Sequence, residues 1–101
     1  LKKYKLLSNK TLVYIEANNY TMLQYSIEYP GYLTINFTSN RNIYFVIRSS
    51  FDESIYQIYP TSGATRSGSF IAPVLPGTVY IYIHNASEYN TTVLLTIGYC
   101  W

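Results

Sequence analysis

The run Val79-Tyr80-Ile81-Tyr82-Ile83 constrains the chain most: five consecutive β-branched or aromatic residues between the turn Pro76-Gly77 and His84-Asn85. Such residues fit a pleated, half-buried surface and lose side-chain freedom in a helix. The segment therefore predicts a strand, and a strand needs partners elsewhere in the chain. Before it, Phe70–Ala72 is a short apolar stretch that meets Pro73. Proline lacks a ladder donor, so Pro73 and Pro76 are expected outside any central strand, in a hairpin-like turn over 73–77. Gly77 suits the positive φ of a type II turn.

The rest of the chain repeats this design. Thr11–Ala17 is a strand candidate closed by Asn18-Asn19, and Tyr20–Tyr29 another, with Met22 expected in the core. Pro30-Gly31 forms a turn. In Tyr32–Thr38, Leu33, Ile35 and Phe37 share one face, and Tyr32, Thr34, Asn36 and Thr38 the other, the mark of a strand wet on one side. Ser39–Asn42 reads as a turn and Ile43–Arg48 as the next strand. Ser50 with Glu53 fits a capping box, hence a single helical turn. Thr61–Ser69 is expected to be a mobile small-residue loop. Thr91–Tyr99 closes the chain, with Val93, Leu95, Ile97 and Tyr99 on one face and Leu94 on the other. Seven or eight strands with turns about every ten residues predict an all-β, antiparallel β-sandwich, immunoglobulin-like or jelly-roll-like.

Composition agrees and excludes several functions. Charged residues make up only 12%, and aromatics 18%, with 13 tyrosines. The +2 net charge, without arginine–aromatic interleaving or a recognition helix, gives no expectation of nucleic-acid binding. No apolar run reaches the ~18 residues of a membrane span. Cys100 is alone, so it cannot form a disulfide within the chain; it reads as a partly buried thiol, with an intermolecular bridge as the alternative. The start at Leu1 reads as a mature or excised form.

No residue set carries catalysis. His84 is the single histidine, and no elbow motif surrounds any serine. Asp52 and Glu53 are adjacent and point apart in an extended strand, a poor acid–base pair. No cluster of His, Cys, Asp or Glu predicts a metal, no cofactor is expected, and the chain is read as a non-enzyme. Tyr80 and Tyr82 share a face with His84; they could bind polysaccharide or a subunit, or be half-buried tyrosines with wet hydroxyls.

Glycosylation is the strongest functional signal. Asn-x-Ser/Thr occurs at Asn9, Asn19, Asn36, Asn85 and Asn90, against about 1.6 sites expected by chance. N-linked glycans imply an extracellular or cell-surface location.

The runs YPGYLTINFTS (29–39), YFVIRSSF (44–51), SGSF (67–70), LPGTVYIYIHNAS (75–87) and VLLTIGY (93–99) resemble the small β-sandwich domains of archaeal secreted and cell-surface proteins. In layout they are similar to pre-peptidase C-terminal and GOLD-type sandwiches. The resemblance implies a structural, adhesive or accessory role. The acidic D-x-D-type strand of the pre-peptidase group is missing, which removes an inherited calcium site.

Residues 1–19 lie outside the resemblance and form an N-terminal strand or arm, with 20–101 as the sandwich domain. The sequence thus predicts a homo-oligomer or filament subunit of the cell surface or a coat. Its first strand would be donated to a neighbour through contacts such as Leu6, Leu12 and Tyr14. The alternative is a surface- or carbohydrate-binding accessory module of a larger secreted protein; the rival to strand donation is that Thr11–Ala17 pairs within its own domain.

With only five carboxylates in the chain, little stability can be lost to their protonation. Far-UV circular dichroism should therefore stay native-like into acid. A cooperative transition between about pH 4 and pH 2, where carboxylates titrate, would refute this.

Overall fold

The computed structural model describes residues 3–50 and 55–101. Seven strands run in the order β1 (Tyr4–Ile15), β2 (Tyr20–Ile27), β3 (Gly31–Ser49), β4 (Ile55–Tyr59), β5 (Thr65–Val74), β6 (Gly77–Asn85) and β7 (Thr91–Cys100), all paired antiparallel. The expected turn of helix at Ser50–Glu53, beyond Ser50 itself, and the Asp52-Glu53 pair fall on residues 51–54, outside the described residues.

β3 organises the molecule. Its first half pairs with β5 and β7 (Leu33 opposite Ala72 and Tyr99), its second half with β6 and β4 (Ile47 opposite Ile81 and Gln57). One layer is therefore β1-β7-β3-β5 and the other β2-β6-β3-β4. The chain changes layer at every connection except the β3–β4 hairpin, which is jelly-roll topology. The sandwich is confirmed, and between the two forms expected the jelly roll holds.

Ser39–Asn42 is a bend and not a reversal. Ser39 and Thr91 share a buried hydroxyl–hydroxyl hydrogen bond of 2.8 Å, and the Arg41 N–H donates to Thr91 Oγ1 at 3.1 Å. Side chains of β7 thus serve the backbone where the β3–β5 ladder is interrupted, between Thr38 and Ile43. The inward row continues through the bend: Leu33, Ile35, Phe37, Ser39, Ile43, Phe45, Ile47 and Ser49 are all buried. Around it the core gathers Val79, Ile81 and Ile83 of β6, Val93, Leu95 and Ile97 of β7, and Phe70, Ala72 and Val74 of β5.

Three further expectations change. Pro73 lies within β5, opposite Tyr32; β5 is an edge strand, where a missing N–H costs no ladder bond. Residues 75–76 then carry the chain between layers, so the 73–77 turn joins no hairpin. Thr65–Ser69 belongs to β5. Its small residues are needed because the strand passes close to aromatic rings: a Cβ on Gly68 would lie 2.7 Å from the Tyr59 hydroxyl. Met22 is not in the core but 40% exposed, because alternation puts Leu23 and Tyr25 on the inner face.

The expected N-terminal arm contributes β1, which pairs with β7 of its own chain from Tyr4 opposite Cys100 to Ile15 opposite Thr91. Paired N–H···O bonds between Lys3 and Trp101 extend that ladder. Where β3 starts, a Cβ on Gly31 would collide with the Cys100 carbonyl. Because that obstacle is backbone, Gly31→Ala should lower stability by about 1–3 kcal/mol. The fall should appear as a lower urea midpoint with an unchanged slope; a midpoint equal to that of the parent would show that β3 can shift freely.

Candidate functional site

The outer face of the β2-β6-β3-β4 layer carries an ordered set of aromatic side chains. Period-two alternation turns Tyr20, Met22 and Gln24 of β2, Tyr80, Tyr82 and His84 of β6, and Tyr44, Val46 and Arg48 of β3 to the same side. Register aligns them in three rows: Tyr20–His84–Tyr44, Met22–Tyr82–Val46 and Gln24–Tyr80–Arg48. Exposed Ile58 of β4 extends the middle row.

The first row is a continuous run of ring contacts. His84 lies parallel to Tyr44 at 4.5 Å between ring centroids and 5.3 Å from Tyr20. Tyr20 in turn sits 5.8 Å from Tyr82. Together Tyr20, Val46, Arg48, Tyr80, Tyr82 and His84 line an open groove of about 530 Å³. Aromatic and aliphatic side chains line it, and tyrosine hydroxyls, the His84 imidazole and the Arg48 guanidinium bring groups capable of directional hydrogen bonds.

Burial against these rings pulls the His84 pKa below its ordinary 6.5, so the imidazole is neutral at pH 7 and can both donate and accept. The folded state then binds this proton less readily than the unfolded chain. The stabilising contribution is full above about pH 6.5 and is lost as pH falls from there through the folded-state pKa.

The sequons separate into two kinds. Asn9, Asn19, Asn36 and Asn90 are exposed. Asn36 stands mid-strand on the outer face of the opposite layer, accepting a 2.6 Å bond from Ser69 Oγ, and Asn90 Oδ1 accepts from the Ala17 N–H. Asn85 is different, being only 3% exposed. Its Nδ2 donates to the carbonyls of Ile15, Glu16 and Tyr89 at 3.2, 3.1 and 2.7 Å, and its Oδ1 accepts from the Ser87 N–H and hydroxyl. A sugar would have to replace one of the two Nδ2 hydrogens inside this buried bracket. Asn85 is therefore a structural residue of the folded chain, with both ends of its amide committed to hydrogen bonds.

Leu6, Leu12 and Tyr14, the expected subunit contacts, are exposed along β1 on the other layer, away from the groove. Of the groove residues, sequence reasoning grouped Tyr80, Tyr82 and His84 but missed Tyr20, Tyr44 and Arg48. Each sits at a position of the right parity on its own strand, yet only inter-strand register makes them neighbours. Among the described residues there is no group of three or more potential metal ligands, and no helix long and apolar enough to cross a membrane.

No family model matches this sequence, and no curated protein is significantly similar to it. Solved structures do resemble the fold. A mutant of a family 29 carbohydrate binding module superposes with a TM-score of 0.63 at 10% identity, covering 99% of this chain and 92% of the module. The pre-peptidase C-terminal domain of a collagenase from Bacillus anthracis gives 0.62 at 13% identity, covering 88% and 89%. A periplasmic inhibitor of g-type lysozyme from Aeromonas hydrophila gives 0.61 at 8%, covering 95% and 85%. At these identities the likeness establishes the β-sandwich fold.

In native protein, peptide mass mapping should find hexose-bearing peptides only among those with Asn9, Asn19, Asn36 or Asn90, and Asn85→Ala should cost about 1–3 kcal/mol through the carbonyls left without their donor. A glycan on Asn85 of folded protein would contradict the bracket.

Proposed function

We propose that this chain is a carbohydrate-binding accessory module that works outside the cell and binds glycans in the Tyr20–Tyr82–His84 groove. The observation that carries the reading is the three-strand row Tyr20–His84–Tyr44 with Tyr82 beside it, a ring platform on one face of the sandwich. Pyranose rings offer a face of C–H groups to such rings and hydroxyls to groups at the edge, here Gln24, Arg48 and His84. Aromatic side chains give large contact area at small entropic cost, having few rotatable bonds. Carbohydrate binding modules share this fold, which supports a role in binding over one in catalysis. Four exposed sequons support the extracellular location.

The strand-donating filament subunit has weaker support. In this chain the segment that such an assembly would donate is paired with β7 of the same molecule.

Affinity electrophoresis through gels containing soluble neutral or acidic polysaccharides tests the reading. At least one polysaccharide should retard the protein. Tyr82→Ala and Tyr20→Ala should each weaken that binding about tenfold, a loss of roughly 1.4 kcal/mol of ring contact. Ile71→Ala, on the opposite layer, should leave it unchanged. The proposal fails if no polysaccharide in a broad panel retards the protein, or if Tyr82→Ala binds as the parent does.

A further inference from the structure

β1 is a 12-residue edge strand whose two halves differ. From Tyr4 to Lys10 its pairing with β7 is interrupted at Leu6/Ser8 and again at Ser8/Thr11, and Lys10 has a φ of 50°. Lys5 also stands on this half. Irregularity and lysine are the usual guards against edge-to-edge pairing. From Thr11 to Ile15 both guards stop. The register runs without a break from Thr11 opposite Leu95 to Ile15 opposite Thr91, and no side chain is charged. This half also carries large exposed apolar groups, Leu12 at 69% and Tyr14 at 60%, with Leu94 exposed opposite Leu12.

We infer that Thr11–Ile15 is a docking edge for a second copy of this chain, paired antiparallel about a two-fold axis through Val13. The strand is self-complementary in that register. Leu12 falls opposite the partner's Tyr14, and Lys10 opposite the partner's Glu16, each pair occurring twice by symmetry. Apolar and opposite-charge cross-strand pairs are the stabilising ones. Adjacent registers lose the match: centring on residue 12 sets Lys10 against Tyr14, and centring on residue 14 sets Leu12 against Glu16. Two β1-β7-β3-β5 layers would thereby join into one continuous sheet. The outer face of β2, another edge strand, already contributes Tyr20, Met22 and Gln24 to the groove. Because the groove is on the opposite layer, each dimer would present two grooves without burying either.

Sedimentation of the 101-residue chain between about 10 µM and 1 mM tests this, the range suited to an interface below ~1,200 Å². The average mass should rise with concentration from the 11.7 kDa monomer toward the dimer. Leu12→Lys should remain monomeric throughout with unchanged circular dichroism and thermal midpoint, and Tyr14→Lys should behave alike. Lys10→Glu and Glu16→Lys should each weaken dimerisation about fivefold, and the double exchange should restore it. The inference is overturned by a monomer at every concentration, by a dimer indifferent to Leu12→Lys, as strand exchange onto the partner's β7 would give, or by a double exchange no better than its components.

Discussion

Everything in this structure depends on β3 being one strand with one buried row. A 19-residue strand that keeps the same face inward through a bend must belong to two layers at once. β5 and β7 take its first half, β6 and β4 its second. Burial of that row excludes any other path, because a one-residue slip would turn Leu33, Ile35, Phe37, Ile43, Phe45 and Ile47 outward together. The bend itself is polar and satisfied, held by Ser39, Thr91 and the Arg41 N–H. At the same end of the sandwich, Asn85 fastens the close of β1 to the β6–β7 connection.

The groove is the outward side of the same constraint. When Phe45 and Ile47 of β3 and Val79, Ile81 and Ile83 of β6 are buried, the residues between them must face out: Tyr44, Val46 and Arg48, and Tyr80, Tyr82 and His84. β2 adds Tyr20, Met22 and Gln24 on the same side. The cost of holding these rings in position is met by the core beneath them. The opposite layer is of another character, its exposed apolar groups gathered toward β1. The groove and the unguarded half of β1 thus lie on different faces of one small sandwich.

Much was legible without the structure. β-branched and aromatic runs with a period of two identified strands and their buried faces, as in Leu33–Phe37 and Val93–Tyr99. Some polar or proline-containing segments mimic reversals in the sequence without being reversals in the fold. Ser39–Asn42 is rich in turn formers, yet the inward parity of Leu33 carries on unbroken to Ile47, the signal that could have revealed a bend. Thr65–Ser69 looked like loop because Gly and Ser are small; Tyr59 and Phe37 make that smallness a packing requirement. Met22 was placed in the core for its chemistry, although its parity matches exposed Tyr20 and Gln24.

By itself, then, the sequence determined the class of fold, most of the strand segments and, within each, which residues share a face, since all three follow from local backbone geometry. Tertiary structure decided which faces meet. Tyr20, Tyr44 and His84 are separated by 24 and 40 residues along the chain, and only antiparallel register places them in one row. Burial likewise turned Asn85 from a sequon into a bracket, because whether an amide is free for a sugar depends on the carbonyls that fold around it. Those carbonyls belong to Ile15, Glu16 and Tyr89, the first two about seventy residues away in sequence.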